Sequence, residues 1–197
     1  MSLNFSINKR LLLILGLGFF LRLLLVPFLT YHLDVYTYIY WSESLLTHGL
    51  NRFFVDNWVD YLPGYPYILW FLAVIKSALH ITSQTHLYYL YKLPAILADL
   101  ATGVIIYKLL RGKLALIAAA VYIFNPAIFA NSALWGQTDS FTALFAVLSF
   151  YLATQKKPFW SGLALGFGTL IKLNTAFIAP IIGLIFLKNL SFRKAIV

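Results

Sequence analysis

The chain of 197 residues contains no cysteine, and acidic residues are scarce too: six Asp and Glu stand against fifteen Lys and Arg. The missing thiols exclude disulfides and thiolate metal sites and leave the redox compartment unread. Charged residues of both signs make up 11% of the chain, where a soluble domain carries about 25%. The hydrophobic share is 61% and the mean hydropathy is +0.83. These values exclude an ordinary soluble domain and predict an integral membrane protein. The sequence pI near 9.7 does not point to nucleic acid, because the basic residues form small clusters between apolar runs, as the positive-inside rule requires. There is no internal repeat and no low-complexity segment.

The apolar runs set the expected organisation. Lys9 and Arg10 precede a run too long for a signal-peptide core and without a small-residue cleavage site, so Leu11 to Tyr31 reads as a retained first span. Its basic flank places the N-terminal end inside and the following loop outside. Val35 to Leu50 reads as an amphipathic helix lying at the interface, with Asp34 at the N-cap position. Tyr65 to Leu79 is short for a span. A crossing there would also put Lys108, Arg111 and Lys113 outside, so a second interfacial helix is expected. Leu87–Leu110, Leu114–Asn131 and Phe141–Thr154 are the next three spans. Pro158 to Leu187 is interrupted at Lys172-Leu173-Asn174 and reads as a short hairpin with its tip outside. A single long, tilted span with Lys172 buried is the alternative.

The expected fold is therefore an all-α multi-pass membrane protein with about five or six transmembrane helices. It forms a single membrane domain over 1–197, with juxtamembrane helices within the first outer loop, 32–86. In this topology Lys9, Arg10, Lys108, Arg111, Lys113, Lys156, Lys157, Lys188, Arg193 and Lys194 lie inside. Every acid except Asp99, and all four histidines, fall on or near the outer face. Arg22 and Asp99 lie deep in the first two spans, where isolated charges are costly. They are expected to pair as a structural clamp.

The polar island is Tyr31–Pro66, which holds Asp34, Glu43, Asp56 and Asp60 together with His32 and His48. Chemistry gathered at one face favours an enzyme site over a transporter or flippase, whose ionisable groups lie near the midplane. The histidines (His32, His48, His80 and His86) have no zinc-site spacing.

The order of features carries a family resemblance. An acid follows the first span, then come an aromatic interfacial helix and Asp60-Tyr61-Leu62-Pro63 entering an apolar helix. Leu97-Ala98-Asp99-Leu100 lies in the next span, Gly136-Gln137-Thr138-Asp139 forms an outer turn, and Leu170-Ile171-Lys172-Leu173-Asn174 comes late. This order resembles the N-terminal module of polyprenyl-phosphate-sugar-dependent glycosyltransferases with the GT-C fold. The likeness is nearest to the dolichyl-phosphate-glucose-dependent glucosyltransferases of N-glycan assembly and related mannosyltransferases. Leu62 departs from that family's Asp-Tyr-Pro-Pro-like turn. At the outer turn only Gly136 is shared in kind with the eukaryotic His-Gly-His-Phe-Gln-type sequence. Family members are usually longer, so the chain is expected to lack the C-terminal half, which contributes donor-lipid and acceptor contacts.

The resemblance implies transfer of a hexose, glucose or mannose, from a polyprenyl-phosphate donor to an acceptor hydroxyl on the extracytoplasmic face. The acceptor is lipid-linked, protein or glycan. The membrane is the plasma membrane, or that of the endoplasmic reticulum in a eukaryote. Asp34 matches the family's general base and Asp60 its companion acid. Gln137 and Asp139 are candidate substrate contacts, and Lys172, Arg52 and Lys92 are candidate phosphate contacts. Each has a plainer alternative: an N-cap for Asp34, a turn acid for Asp60, a helix cap for Asp139 and snorkelling for Lys172. Glu43 reads as part of a solvated face. Trp41, Trp58 and Trp135 suit either sugar stacking or the interfacial aromatic belt. No cofactor is demanded, although Asp34 with Asp60 or Asp139 has the oxygen ligands a divalent cation takes. The alternative function is a non-catalytic subunit or fragment of a split transferase, with a second chain supplying the missing spans.

Overall fold

The computed structural model describes residues 8–28 and 31–189, without the side chains of His32 and Asn189. Arg193, Lys194 and the His32 side chain thus lie outside the described residues. Those that are described form an all-α protein with no strand.

Helix α1 (Lys9–Leu25) starts where the Asn8 side chain accepts from Arg10 N at 2.9 Å, a standard N-cap. It ends at Leu25, before the expected Tyr31. Helix α2 (His32–Asp56) extends beyond the expected Leu50 because it bends rather than stops at Gly49, whose φ of 72° costs a glycine little. Tyr31 is the N-cap of α2. Asp34 therefore lies in the first turn rather than at the cap, which corrects that alternative. Helix α3 (Gly64–Ala78) and helix α4 (Gln84–Leu109) follow the expected pattern.

The expected third span, Leu114–Asn131, is not continuous. Helix α5 (Gly112–Ile123) stops before Asn125-Pro126, and a short helix α6 (Pro126–Phe129) runs on into a π-helical turn, Ala130–Trp135. Pro126 has no N–H to continue the ladder, and Asn125 caps the new segment by accepting from Ala127 N at 2.9 Å. The two segments meet at a bend of 46°. Helices α7 (Asp139–Thr154) and α8 (Pro158–Ile171) come next. Lys172 is extended, with φ −148° and ψ 127°, and a 3₁₀ turn (Leu173–Ile178) precedes helix α9 (Ala179–Asn189). The interruption expected in 158–187 is present, so the segment is not one continuous helix.

Among the described residues one helix, α4, is long and apolar enough to cross a bilayer, with a second span if the bent pair at Asn125 counts as one. Helices α7 and α8 and the segment after Lys172 are apolar but shorter. Helix α4 is the hub of the packing. It touches α1, α5 and α7, while α2 and α3 lie against each other and against α4. The main buried cluster, which includes Tyr38, Trp41, Leu45, Phe53, Tyr65, Leu69, Tyr91 and Ile96, sits where α2, α3 and α4 meet.

Below it, α1, α4 and α5 approach closely around one side chain. A Cβ on Gly18 would stand 2.2 Å from Ile123 Cγ2, and one on Gly103 would stand 2.7 Å from Ile123 Cδ1. The expected Arg22–Asp99 pair forms beside this contact. Arg22 Nε and Nη2 each donate to Asp99 Oδ2 at 3.2 Å, and Nη1 donates to Ile123 O at 3.0 Å and Gly18 O at 3.1 Å. Both side chains are fully buried. Outward faces are apolar instead: Leu12, Leu13, Leu17, Phe20 and Leu24 on α1, Leu114, Ile117 and Val121 on α5, and Phe159, Leu163, Phe167 and Leu170 on α8 are exposed.

Candidate active site

A cleft of about 240 Å³ opens between the first turns of α2, the 58–61 segment, the turn before α7 and the end of α8. It is lined by Asp34, Tyr38, Trp58, Asp60, Tyr61, Gln137 and Lys172, among others. Four of the expected site residues therefore meet in one place: Asp34, Asp60, Gln137 and Lys172. A fifth, Asp139, joins through an ion pair between its Oδ1 and Lys172 Nζ. Arg52 does not join them. It is exposed on α2 beyond the bend at Gly49 and does not line the cleft.

Asp34 is held by neutral donors. Trp135 Nε1 donates to its Oδ2 at 2.8 Å, and Gln137 Nε2 donates to the same oxygen. Among the described residues nothing donates to Oδ1. The acid thus has one fixed oxygen and one that none of the described residues occupies. Asp60 is exposed at the rim. Asp139 sits in the first turn of α7, with Thr138 as the N-cap residue. Its expected capping role gives way to the pair with Lys172.

The floor of the cleft is a row of hydroxyls that the sequence reading missed. Thr138 Oγ1 donates to Tyr61 Oη at 3.3 Å, and Tyr61 Oη shares a hydrogen bond of 2.9 Å with Tyr38 Oη. Burial, reinforced by the neighbouring Tyr65 and Tyr61, pushes the Tyr38 phenol well above its ordinary range, so Tyr38 stays a neutral hydroxyl. Lys172 Nζ stands 6.0 Å from the Tyr61 ring centroid. The adjacency of Tyr61 to Asp60 was the available signal for this role.

Trp41, Trp58 and Trp135, three of the five tryptophans, have different fates. Trp41 is buried against Tyr38, Phe53 and Tyr61, so it belongs to the packing. Trp135 holds Asp34 and packs 5.2 Å from the Tyr31 ring. Trp58 is 81% exposed at the cleft and has its face available.

One further expectation needs correction. Lys92 is not an outer phosphate contact. It is fully buried, and its Nζ donates to Val26 O at 2.9 Å, Ala133 O at 2.8 Å and Leu134 O at 3.1 Å. Those carbonyls end α1 and the π-turn, where a cation is favoured and orphan acceptors need donors. Glu43 is exposed, as expected of a solvated face, and pairs there with Lys76 of α3. No group of three or more His, Asp or Glu able to hold a metal gathers among the described residues.

Residues 58–197 match the profile of glycosyltransferase family 87. The match covers most of the chain and includes Asp60, Gln137, Asp139 and Lys172. The chain belongs to glycosyltransferase family 87. This is a GT-C-type family of membrane-associated glycosyltransferases, in agreement with the resemblance read from the order of motifs. No curated protein and no solved structure matches the chain significantly. Asp34 precedes the matched region, so its place in the site rests on the fold, which brings the start of α2 to the Gly136-Gln137 turn. A glycosyltransferase needs a sugar donor and an acceptor, and the cleft presents one carboxylate with an open oxygen, a cation and an exposed aromatic face.

Proposed function

We propose that this family 87 member is a multi-pass membrane enzyme that moves a hexose, glucose or mannose, from a polyprenyl-phosphate donor to an acceptor hydroxyl. The reaction takes place on the extracytoplasmic face. The observation that carries this reading is the convergence of Asp34, from outside the family match, with Asp60, Gln137 and Lys172 in one cleft. Membrane embedding is supported by the apolar outward faces of α1, α5 and α8, each of which exposes several large hydrophobic side chains. The full burial of Arg22, Lys92 and Asp99 agrees with charges turned away from lipid.

In the proposed step the acceptor oxygen attacks the anomeric carbon as its proton passes to Asp34 Oδ1. The new C–O bond forms while the bond from the anomeric carbon to the phosphate oxygen breaks. The polyprenyl phosphate leaves with the bonding pair. A single displacement inverts the anomeric centre and needs no enzyme nucleophile. Lys172, released from Asp139, offsets the charge on the departing phosphate. Asp60 accepts hydrogen bonds from sugar hydroxyls, the Tyr61 and Tyr38 hydroxyls serve polar groups at the floor, and Trp58 stacks on a sugar face.

The test uses the purified chain in lipid nanodiscs with polyprenyl-phosphate glucose and mannose, scoring released polyprenyl phosphate and the stereochemistry of the product. Asp34→Asn is expected to lower kcat by about 10²–10⁴-fold. Transfer with retained configuration, or an Asp34→Asn variant as fast as the parent, would refute the mechanism.

A further inference from the structure

We infer that Trp135 and Gln137 are positioning residues that fix one oxygen of Asp34 so that the other takes the acceptor's proton, and that buried Lys92 seats the turn carrying them. The inference rests on the reading of Asp34 as the base.

Three observations support it. First, both donors reach the same oxygen. Trp135 Nε1 is 2.8 Å from Asp34 Oδ2, and Gln137 Nε2 bonds the same atom. A carboxylate at the start of a helix otherwise turns freely about its last torsion, which is a broad, roughly two-fold well. Two donors on one oxygen set the plane of the group and leave Oδ1 in a fixed direction. That is the geometric condition for a general base.

Second, Trp135 and Gln137 flank a glycine where any side chain would be strained and crowded. Gly136 has φ +87°, and a Cβ there would stand 2.9 Å from Val35 Cγ2 and 3.1 Å from Lys92 Cγ. The turn lies tightly between the residue next to Asp34 and the stem of Lys92. Its own amides are anchored as well, since Gly136 N and Gln137 N both donate to Asn131 O, at 2.9 Å and 3.0 Å.

Third, Lys92 is committed to this turn. Two of its three acceptors, Ala133 O and Leu134 O, directly precede Trp135, and the third, Val26 O, ends α1 just before the approach to α2. One ammonium thus ties the strip that carries the donors to the strip that leads to the carboxylate. The Trp135 indole has a single N–H, and that N–H is already given to Asp34.

The experiment compares the full chain with Trp135→Phe, which keeps a ring and removes the N–H, and with Gln137→Met, which keeps the length and removes the amide. Each is expected to lower kcat roughly ten-fold or more while the donor KM stays within about two-fold. A second measurement does not depend on those variants folding. The indole ¹⁵N–H resonance of Trp135 is expected to move in Asp34→Ala. Its assignment comes from single-site isotope labelling. Three results would overturn the proposal: wild-type kcat in both variants, a loss confined to KM, or an indole resonance unmoved by Asp34→Ala. An active Asp34→Ala variant would instead overturn the base assignment, so the two failures are distinguishable.

Discussion

The pair of Arg22 and Asp99 offers the sharpest test of the fold. Arg22 does two jobs. It gives two hydrogen bonds to Asp99 Oδ2 and one to Ile123 O. The second job exists because Ala127 N, the normal helical donor to Ile123 O, is taken by the Asn125 side chain. Removing one member of a buried pair leaves the other uncompensated, which costs about 3–5 kcal/mol. Arg22→Leu and Asp99→Leu should each fall in that range. The double variant removes both charges and leaves only neutral groups short of a partner: the Ile123 carbonyl, a loss of about 1–3 kcal/mol, and the Ser132 and Ser140 hydroxyls, which Asp99→Leu alone leaves in the same state. It should therefore be less destabilised than the sum of the single variants by about 3 kcal/mol or more. Unfolding by denaturing detergent in mixed micelles, followed by tryptophan fluorescence, measures all four corners of the cycle. Additive losses would refute the clamp. So would a double variant worse than either single one.

Three further outcomes follow from the geometry. Lys92→Met leaves three backbone carbonyls without their donor and should cost about 3 kcal/mol or more in the same unfolding assay. It should also move the Trp135 indole resonance. Trp58→Ala should raise KM for a sugar substrate by up to about ten-fold through loss of an aromatic face. Because Trp58 is 81% exposed, its unfolding transition should not move. Lys172→Met should raise the donor KM roughly ten-fold by removing a charge-assisted phosphate contact. Its ion pair with Asp139, 49% exposed, is of the kind that adds little to stability, so intact donor affinity would sink the assignment.

Much of the architecture was legible because it is written in short-range signals. The ends of α4 and α7, the interruption at Lys172 and the Arg22–Asp99 pair follow from apolar run lengths and from the cost of burying lone charges. The break at Asn125-Pro126 carries an equally local signal, a cap residue before a proline. It was overridden by the continuous apolar run from Leu114, whose period and length fit one span. Lys92 was misjudged for another reason. A lysine near the outer end of a span reads as an interfacial cation, and nothing local reveals that the carbonyls ending α1 and the π-turn converge on it. The bend at Gly49 hid in the same way, since a lone glycine in an amphipathic pattern is compatible with both an end and a kink.

The partners of the acids explain why the site reduces to Asp34 and Asp60. Among the described residues, Glu43 pairs with Lys76, Asp99 with Arg22 and Asp139 with Lys172. A carboxylate paired with a cation has its oxygen turned to that partner and not to a substrate. Asp34, Asp56 and Asp60 have no such partner among the described residues, and of these only Asp34 and Asp60 line the cleft. Asp34 alone is oriented by two N–H donors, while exposed Asp60 is not. The six acids that stood out as scarce in the sequence thus divide into three that neutralise cations, one on the open surface and two that face a substrate-sized space. Only one of those two is fixed in direction, and that is the difference a general base requires over a residue that grips hydroxyls.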